Sequence, residues 1–331
     1  MDREYILFPD CKLVEGISRS AIYDLCRSNI LFIPNTLYEI LDKYKGFPIK
    51  KLQKIYKEDL EIINDYFEFL LENEFIYQVN SPIQFNGIES IFETPFLINN
   101  AIIDNDLDIQ HNYKSIVQNL QDVACPNVLL RFFYKIDIND LYKILTHFSN
   151  SHIRDLVLSL PYTPHLLKSL KSIIHKITQI SEIIMYSSPK EKLINYRDVN
   201  IYYIKQPFNS EECCGNIHLR NFSVNVKMYV ESRNYNNCLY KKISVDRFGN
   251  IKNCPSDNRI FGNIYDTKFI EVQKNTEFKK YWNLKKDDIE TCNICEFRYM
   301  CLDCRIYICD KNNIKSKPLK CKYNVYEEKW N

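Results

Sequence analysis

The cysteines of the C-terminal third limit the fold of this chain more than any other feature. Eight of the thirteen cysteines lie in the last 94 residues, and six of these form one block of Cys292, Cys295, Cys301, Cys304, Cys309 and Cys321. Thiols two and five residues apart cannot all form unstrained disulfides with each other, but they can converge on one soft metal centre. Cysteine-only ligation selects zinc or an iron–sulfur cluster.

A secreted disulfide-rich module and a structural zinc site are the two other interpretations of this block. The sequence starts with Met1-Asp2-Arg3-Glu4, without an apolar signal segment, so we expect a cytoplasmic protein with reduced thiols. No apolar run approaches the roughly 18 residues that a membrane helix needs, and no membrane partner is expected. A zinc ion bound by four cysteines stays open as the stronger alternative.

The order of the cysteines resembles that of the SPASM domain. Ten residues, a glycine and four residues separate Cys238 from Cys254, and after a gap follow Cys292, Cys295, Cys301, Cys304 and Cys321. SPASM domains follow the radical S-adenosylmethionine (SAM) barrel of peptide-maturing enzymes and carry auxiliary [4Fe-4S] clusters. The strings CEFRYMC at 295–301 and KPLKCKYN at 317–324 further resemble the SPASM maturase of the grasp-with-spasm peptide systems.

This resemblance implies two clusters, each with its own ligands. The second auxiliary cluster would be bound by Cys292, Cys295, Cys301 and Cys321. The first would be bound by Cys238, Cys254, Cys304 and a cysteine shortly before Cys238, where this chain has Ser232. We predict Cys214 as the fourth ligand, although Cys213 and Cys309 are alternatives. A three-cysteine site that is open to a substrate, or a zinc site, also stays open.

Residues 1–85 are predicted to form a small N-terminal domain. Short β-like runs predict strands at 5–8, 21–25 and 29–33, and apolar residues at helical spacing predict helices at 37–41 and 60–71 before a strand at 75–77. This order resembles the PqqD-like winged-helix element, which binds the leader of a precursor peptide by adding a strand to a sheet edge. A winged-helix cap with a purely structural role is the alternative.

Residues 90–230 are predicted to form a degenerate, partial (β/α) barrel like that of radical SAM enzymes. Strand candidates alternate with helical patterns at 96–98, 128–133, 156–160, 183–186, 199–204 and 224–229, which favours a parallel α/β sheet of about six units. In that family, a Cys-x3-Cys-x2-Cys loop follows the first strand and binds the SAM-cleaving cluster. No such string occurs in this chain, so we expect no SAM cleavage.

Three carboxylates, Asp104, Asp106 and Asp108, follow the first predicted strand. Barrel enzymes place their chemistry at the carboxyl ends of strands, and three carboxylates could bind Mg²⁺ or a cationic group there. A solvent-exposed loop is the plainer interpretation of this acidic run.

The charge of the chain is distributed unevenly. Residues 232–331 hold 20 basic and 13 acidic side chains, although the whole chain has a formal net charge of only +2. The basic excess could attract an acidic peptide or nucleic acid, or it could offset the thiolate charge of a cluster. The chain has six glycines and no glycine-rich phosphate loop, so we expect no nucleotide bound in that way.

The sequence therefore predicts a peptide-maturation protein with a SPASM domain at 231–331. It would bind the leader of a ribosomally made precursor and act beside an ATP-grasp peptide ligase, with one or two [4Fe-4S] clusters. Two alternatives stay open. One is a redox enzyme that modifies the peptide at an open cluster iron, and the other is a zinc-stabilised interaction module without catalysis.

Overall fold

The N-terminal part of the chain forms a unit of short strands and helices. The structure is a computed structural model that describes residues 4–44, 48–79, 88 and 91–331. The N-terminal elements are β1 (Glu4–Leu7), β2 (Cys11–Val14), β3 (Ser20–Asp24), β4 (Asn29–Ile33), α1 (Asn35–Lys43), α2 (Ile49–Ile55), α3 (Leu60–Glu72) and β5 (Ile76–Val79). Strands β2, β3 and β4 form an antiparallel sheet with β3 in the middle, and β1 pairs with β5.

Helices α1 and α3 cover one face of the three-stranded sheet. Ile22 of β3 packs with Ile40 of α1 and with Phe67 and Leu70 of α3 in one buried cluster. The helical spacing of these apolar residues is what predicts both helices, and the structure confirms them together with strands β1, β3, β4 and β5. Strand β2 and helix α2 were not predicted. Lys12 interrupts the apolar run of β2, and the seven residues of α2 are too few to show a clear helical period. The PqqD-like nature of this unit stays a prediction.

The rest of the chain is built around a larger sheet. In chain order its elements are β6 (Asn100–Asn105), α4 (Tyr113–Asp122), β7 (Asn127–Phe132), α5 (Ile138–Thr146), β8 (Asp155–Pro161), α6 (Leu166–Lys176), β9 (Ile180–Tyr186), β10 (Lys192–Tyr196), β11 (Val199–Tyr203), α7 (Val226–Asn234), β12 (Lys242–Val245), β13 (Ile251–Lys252), α8 (Phe269–Lys274), β14 (Tyr323–Asn324) and β15 (Lys329–Trp330).

Eight of these strands form one sheet in the order β10-β11-β9-β8-β7-β6-β12-β13. The six inner strands run parallel, and β10 and β13 are antiparallel edges. Helices α4, α5 and α6 connect successive parallel strands from β6 to β9, and their apolar faces join the core of the sheet. The predicted α/β class with a mostly parallel sheet is confirmed. Its later units differ from a regular barrel, because the hairpin β10–β11 replaces a helix after β9.

Two predicted strands are wrong. The segment 96–98 is not a strand, because the Lys241 ammonium donates to the carbonyls of Thr94 and Phe96 at 3.0 and 2.7 Å, and the first sheet strand starts at Asn100. The segment 224–229 enters helix α7 instead. Asn225 caps this helix by accepting a hydrogen bond from the Met228 N–H at 2.8 Å, which the alternating apolar residues of the segment did not reveal.

The C-terminal part consists mostly of turns that pack on both other parts. Strands β12 and β13 extend the large sheet beside β6, while the cysteine-rich segment packs on the second face of the N-terminal sheet. Tyr23 of β3 donates to the Glu296 carbonyl at 2.5 Å, and Arg19 binds the Glu296 carboxylate at 2.9 Å. In the described parts of the chain, no helix is both long and apolar enough to span a bilayer.

Candidate metal centres

Cys292, Cys295, Cys301 and Cys321, here called the second cysteine group, line a single cavity. The cavity has about 360 Å³ of empty space, part of which is open to solvent. Six of its other lining residues are apolar or aromatic, and the remaining four are Lys286, Thr291, Arg298 and Lys317. Cys292 and Cys301 are buried, and Cys295 and Cys321 are half-buried. The turn that carries the first two cysteines closes on itself, since the Cys295 N–H donates to the Cys292 carbonyl at 3.1 Å. All four predicted ligands therefore meet in one place.

Burial makes three thiols of this group hard to ionise. It raises the pKa of Cys301 to about 12, against the opposing effect of Lys286, and raises the pKa values of Cys292 and Cys295 as well. These three thiols need positive charge before they can act as thiolates, and a bound metal would supply it. The donor chemistry of the group thus fits a thiolate-bound metal or cluster.

Cys238, Cys254, Cys304 and Cys214, here called the first cysteine group, are gathered by a hairpin and a turn. Cys238 precedes β12 and Cys254 follows β13, so the hairpin of these two strands brings them together. Gly249 lies in its turn at a φ of +83°, where a Cβ would come within 3.1 Å of the Asn263 side chain. This explains the glycine between the two cysteines, because L side chains rarely adopt that backbone conformation.

Cys214 approaches the same hairpin from the loop after β11. Burial alone lowers the pKa of Lys242, yet Cys238, Cys254 and Cys214 together raise it above its ordinary value, as expected for thiolates around one ammonium. The next residue, Gly215, has a φ of +81°, and a Cβ there would lie 3.1 Å from the Cys304 sulfur. The turn with Cys214 is therefore held against Cys304.

The other candidates for the fourth ligand of the first group lie in different surroundings. Ser232 is buried in α7, and its hydroxyl accepts a hydrogen bond from Asn237 at 2.7 Å. Cys309 is exposed, and Cys213 is half-buried beside Cys214. Ligation by Cys214 stays a prediction, and among the candidates its sulfur is the one that shares an electrostatic environment with Cys238 and Cys254.

A buried ion pair at the carboxyl end of the sheet also faces Cys214. Arg131 of β7 binds both carboxylate oxygens of Asp104 of β6, at 2.6 and 2.7 Å, and both side chains are buried. The third guanidinium nitrogen, Nη1, lies 2.9 Å from the Cys214 sulfur. The neighbouring Cys213 and Arg131 lower the pKa of Cys214, although burial opposes them. Arg131 thus connects the sheet to the first cysteine group.

The acidic run at Asp104, Asp106 and Asp108 is only partly an exposed loop. Asp104 belongs to strand β6, and burial raises its pKa to about 6 despite Arg131. Asp106 pairs with Arg247 at 3.0 Å, and Asp108 is exposed. Two of the three carboxylates therefore have an arginine partner, and Mg²⁺ binding stays an untested hypothesis.

All thirteen cysteines lie in the described part of the chain, and each is a free thiol there. Across residues 4–44, 48–79, 88 and 91–331, no group of three or more His, Cys, Asp or Glu side chains is arranged to hold a single metal ion. The cluster and its zinc alternative both stay predictions.

Several charged residues around the two cysteine groups were not predicted from the sequence. Lys242, Lys286 and Arg131 contact cysteine sulfurs, but lysine and arginine are common in this chain and nothing in their spacing distinguishes them. Asp303 and Arg305 flank Cys304, and their burial follows from the fold rather than from a pattern. Their position next to cysteines is the one signal that the sequence offers.

No family model matches this chain, and no curated protein sequence matches it. Among solved structures, SuiB of Streptococcus suis bound to S-adenosylmethionine is similar at 12% identity and a TM-score of 0.37, over 95% of this chain and 98% of that chain. SuiB bound to the precursor peptide SuiA is similar at 10% identity and a TM-score of 0.31, over the same shares of both chains. Both similarities are weak.

Proposed function

We propose that this protein takes part in the maturation of a ribosomally made peptide, beside an ATP-grasp ligase, as a SPASM protein of the grasp-with-spasm kind. The observation that carries the proposal is the second cysteine group, whose four members come from a 30-residue stretch of turns and line one cavity. Such turns have little regular structure to stabilise them. A shared thiolate centre accounts for both their fold and their cysteine spacing.

The two cysteine groups would each hold one [4Fe-4S] cluster, with zinc as the alternative. Cys292, Cys295, Cys301 and Cys321 would bind the second cluster, and Cys238, Cys254, Cys304 and Cys214 the first. A bound cluster of this kind can carry one electron or serve as a rigid scaffold. The chain's own contribution would be to bury part of the ligand set, to line the second group with aromatic and basic side chains, and to hold Cys214 through Arg131.

The N-terminal unit, residues 1–85, would bind the leader of the precursor. Strand β4 pairs with β3 alone among the described residues, so its other edge is available to a further strand. The N–H of Leu25, the residue after β3, donates to the Asp10 carbonyl. Because hydrogen bonds alternate along an antiparallel strand, Ile22 of β3 then bonds to Leu31, and the backbone groups of Ile30 and Phe32 face outward. The Ile30 N–H already donates to the Asn29 side chain at 2.9 Å, so the Phe32 N–H and the two carbonyls are the groups left for a leader. An extended leader could pair with those groups.

Metal analysis of protein purified without oxygen tests the cofactor. We expect about eight irons per chain at full loading, from two four-iron clusters. Replacing Cys321 or Cys254 with serine should each remove one cluster's share, while Cys26→Ser, at an exposed thiol, should leave iron unchanged. Zinc at wild-type stoichiometry without iron would reject the clusters.

A maturation assay tests the function itself. The probes are a short precursor peptide and an ATP-grasp ligase, sought among the reading frames that neighbour this gene. We expect the ligase to modify the full-length precursor faster when this protein is present, and to lose that gain with a leaderless core peptide. Equal turnover with and without this protein would contradict the proposal.

A further inference from the structure

Lys286 places a buried cation among the thiols of the second cysteine group. Its side chain is 3% exposed, and its Nζ lies 3.9 Å from the Cys292 sulfur and 3.7 Å from the Cys301 sulfur. An ammonium is costly to bury unless anions or acceptors surround it. Lysine at this position therefore requires negative charge nearby, and two of its three close neighbours are cysteines.

The third neighbour, Asp303, does not neutralise Lys286 by itself. The Asp303 carboxylate is fully buried and lies 3.7 Å from Lys286, but Arg305 already binds it at 2.9 and 2.7 Å, and Asn236 donates to it at 2.7 Å. Two cations thus face one carboxylate, which leaves one positive charge unbalanced. Thiolates of the second group are the anions that the site offers for it.

The geometry at Lys286 agrees with this. Its Nζ lies within donor distance of both sulfurs, so its N–H groups point towards sulfur. Hydrogen bonds to ligand sulfurs and nearby charge are two of the means by which proteins set the reduction potential of iron–sulfur clusters.

We propose that Lys286, positioned by Asp303, stabilises the more negatively charged, reduced form of the cluster bound by the second cysteine group. The inference rests on the proposed function, and it makes this group an electron-accepting site rather than a structural one. On reduction, one electron from the reductant enters the cluster, no bond breaks, and the complex gains one negative charge beside the lysine.

The first cysteine group provides an internal control. Lys242 holds the equivalent place there, since its Nζ lies 3.5 Å from the Cys238 sulfur. A substitution at Lys286 should affect the second cluster, and the same substitution at Lys242 should affect the first. Lys285, which is partly exposed and pairs with Asp287, serves as a surface control at the neighbouring position.

The experiment measures the midpoint potential of each cluster in the full-length protein, by titration with dithionite followed by electron paramagnetic resonance. Lys286→Met removes both charge and donor, and Lys286→Gln removes the charge but keeps an N–H donor. We expect both to shift the potential of the second cluster to more negative values, with the larger shift for Met. Lys285→Met and Lys242→Met should leave that potential at the wild-type value.

Three results would overturn the inference: an unchanged second potential in a loaded variant, a positive shift, or equal shifts of both clusters. If Lys286→Met and Lys286→Gln lose the second cluster while Lys286→Arg keeps it, the need for a cation is supported. If all three variants lose it, the site requires the shape of lysine and not its charge, and the inference fails.

A separate measurement tests the proposed cofactor independently of this inference. Iron and sulfide are measured first in the wild-type protein, and zinc in place of iron would reject the clusters. In that case the lysine is tested by retention of zinc against a chelator. Faster loss from Lys286→Met than from Lys285→Met supports charge compensation by Lys286, and equal loss contradicts it.

Discussion

Cys295 shows how much of the C-terminal fold depends on one ligand. Structural thiolate sites contribute on the order of 10 kcal/mol or more to folding, and the segment around the second cysteine group has few regular elements to replace that contribution. We expect Cys295→Ser to make residues 231–331 sensitive to limited proteolysis and to lower the melting temperature.

Cys309→Ser is the matched control for this substitution, because Cys309 belongs to the same block but its thiol is exposed. It should keep wild-type protease resistance. A soluble Cys295→Ser protein with unchanged melting behaviour would show that the second group does not stabilise the fold.

Glu182 carries a pH-dependent cost to stability that is independent of the cysteines. This residue of β9 is half-buried, and burial raises the pKa of its carboxyl above the ordinary value. The folded protein therefore holds the proton at a pH where the unfolded chain has released it, so stability is greatest below the unfolded pKa and falls as pH rises through the folded pKa. At neutral pH, Glu182→Gln should stabilise the protein.

Denaturant titrations at pH 4 to 8 check this expectation. The difference in unfolding free energy between Glu182→Gln and wild type should grow with pH across that range. Glu191→Gln changes an exposed carboxylate and should show no such growth. A difference that stays constant with pH would contradict the assigned pKa direction.

At the residue scale, the cysteines could be predicted from the sequence and their charged neighbours could not. Spacing alone grouped Cys292, Cys295 and Cys301, because short turns bring thiols together whatever the rest of the fold does. Asp104 was assigned to an acidic loop, since its partner Arg131 lies 27 residues away on the next strand. Such pairs depend on strand register, which no local pattern reports.

At the scale of secondary-structure elements, the proposed leader binding assigns a function to strand β4. Phe32→Pro removes an outward-facing N–H from this edge, whereas Phe32→Ala removes the same ring but keeps the N–H. We expect the proline variant to bind a labelled leader at least tenfold more weakly than the alanine variant, with both at wild-type iron content. Fluorescence anisotropy with the isolated leader measures this.

Equal affinities of the two Phe32 variants would show that the leader does not add a strand at β4. Circular dichroism and iron content verify that each variant is folded before affinities are compared. A leader that binds neither variant nor wild type would leave residues 1–85 as a structural cap.

Helices whose apolar residues recur at a clear helical spacing were predicted correctly. The helix whose start depends on an N-terminal capping side chain was not. The helices α3 to α6 show apolar residues at helical spacing, and all four are present. The start of helix α7 was predicted as a strand because the apolar residues Val224, Val226 and Met228 alternate with polar ones. The Asn225 side chain caps the helix N-terminus and stabilises the helix instead. A single side-chain hydrogen bond can overrule a short alternating pattern.

At the scale of the whole molecule, the large sheet retains parallel β/α construction but lacks the cysteines for SAM cleavage. We expect no 5′-deoxyadenosine from SAM when the anaerobically reconstituted protein is reduced with dithionite. The physical reason is that no Cys-x3-Cys-x2-Cys loop is present to bind a cluster with an open iron. Chromatographic detection of 5′-deoxyadenosine above a protein-free control would contradict the degenerate-barrel hypothesis.

The salt bridge between Asp104 and Arg131 bears on any attempt to engineer radical chemistry into this scaffold. Grafting a three-cysteine loop after β6 would set three new thiolates beside a buried carboxylate, with the Arg131 guanidinium already shared with Cys214 and the Arg247 guanidinium already paired with Asp106. The graft would then compete with the first cysteine group for Arg131. A functional graft therefore needs compensating changes on β7 as well as the loop itself, and loop swaps alone should yield protein that gains one centre at the expense of another.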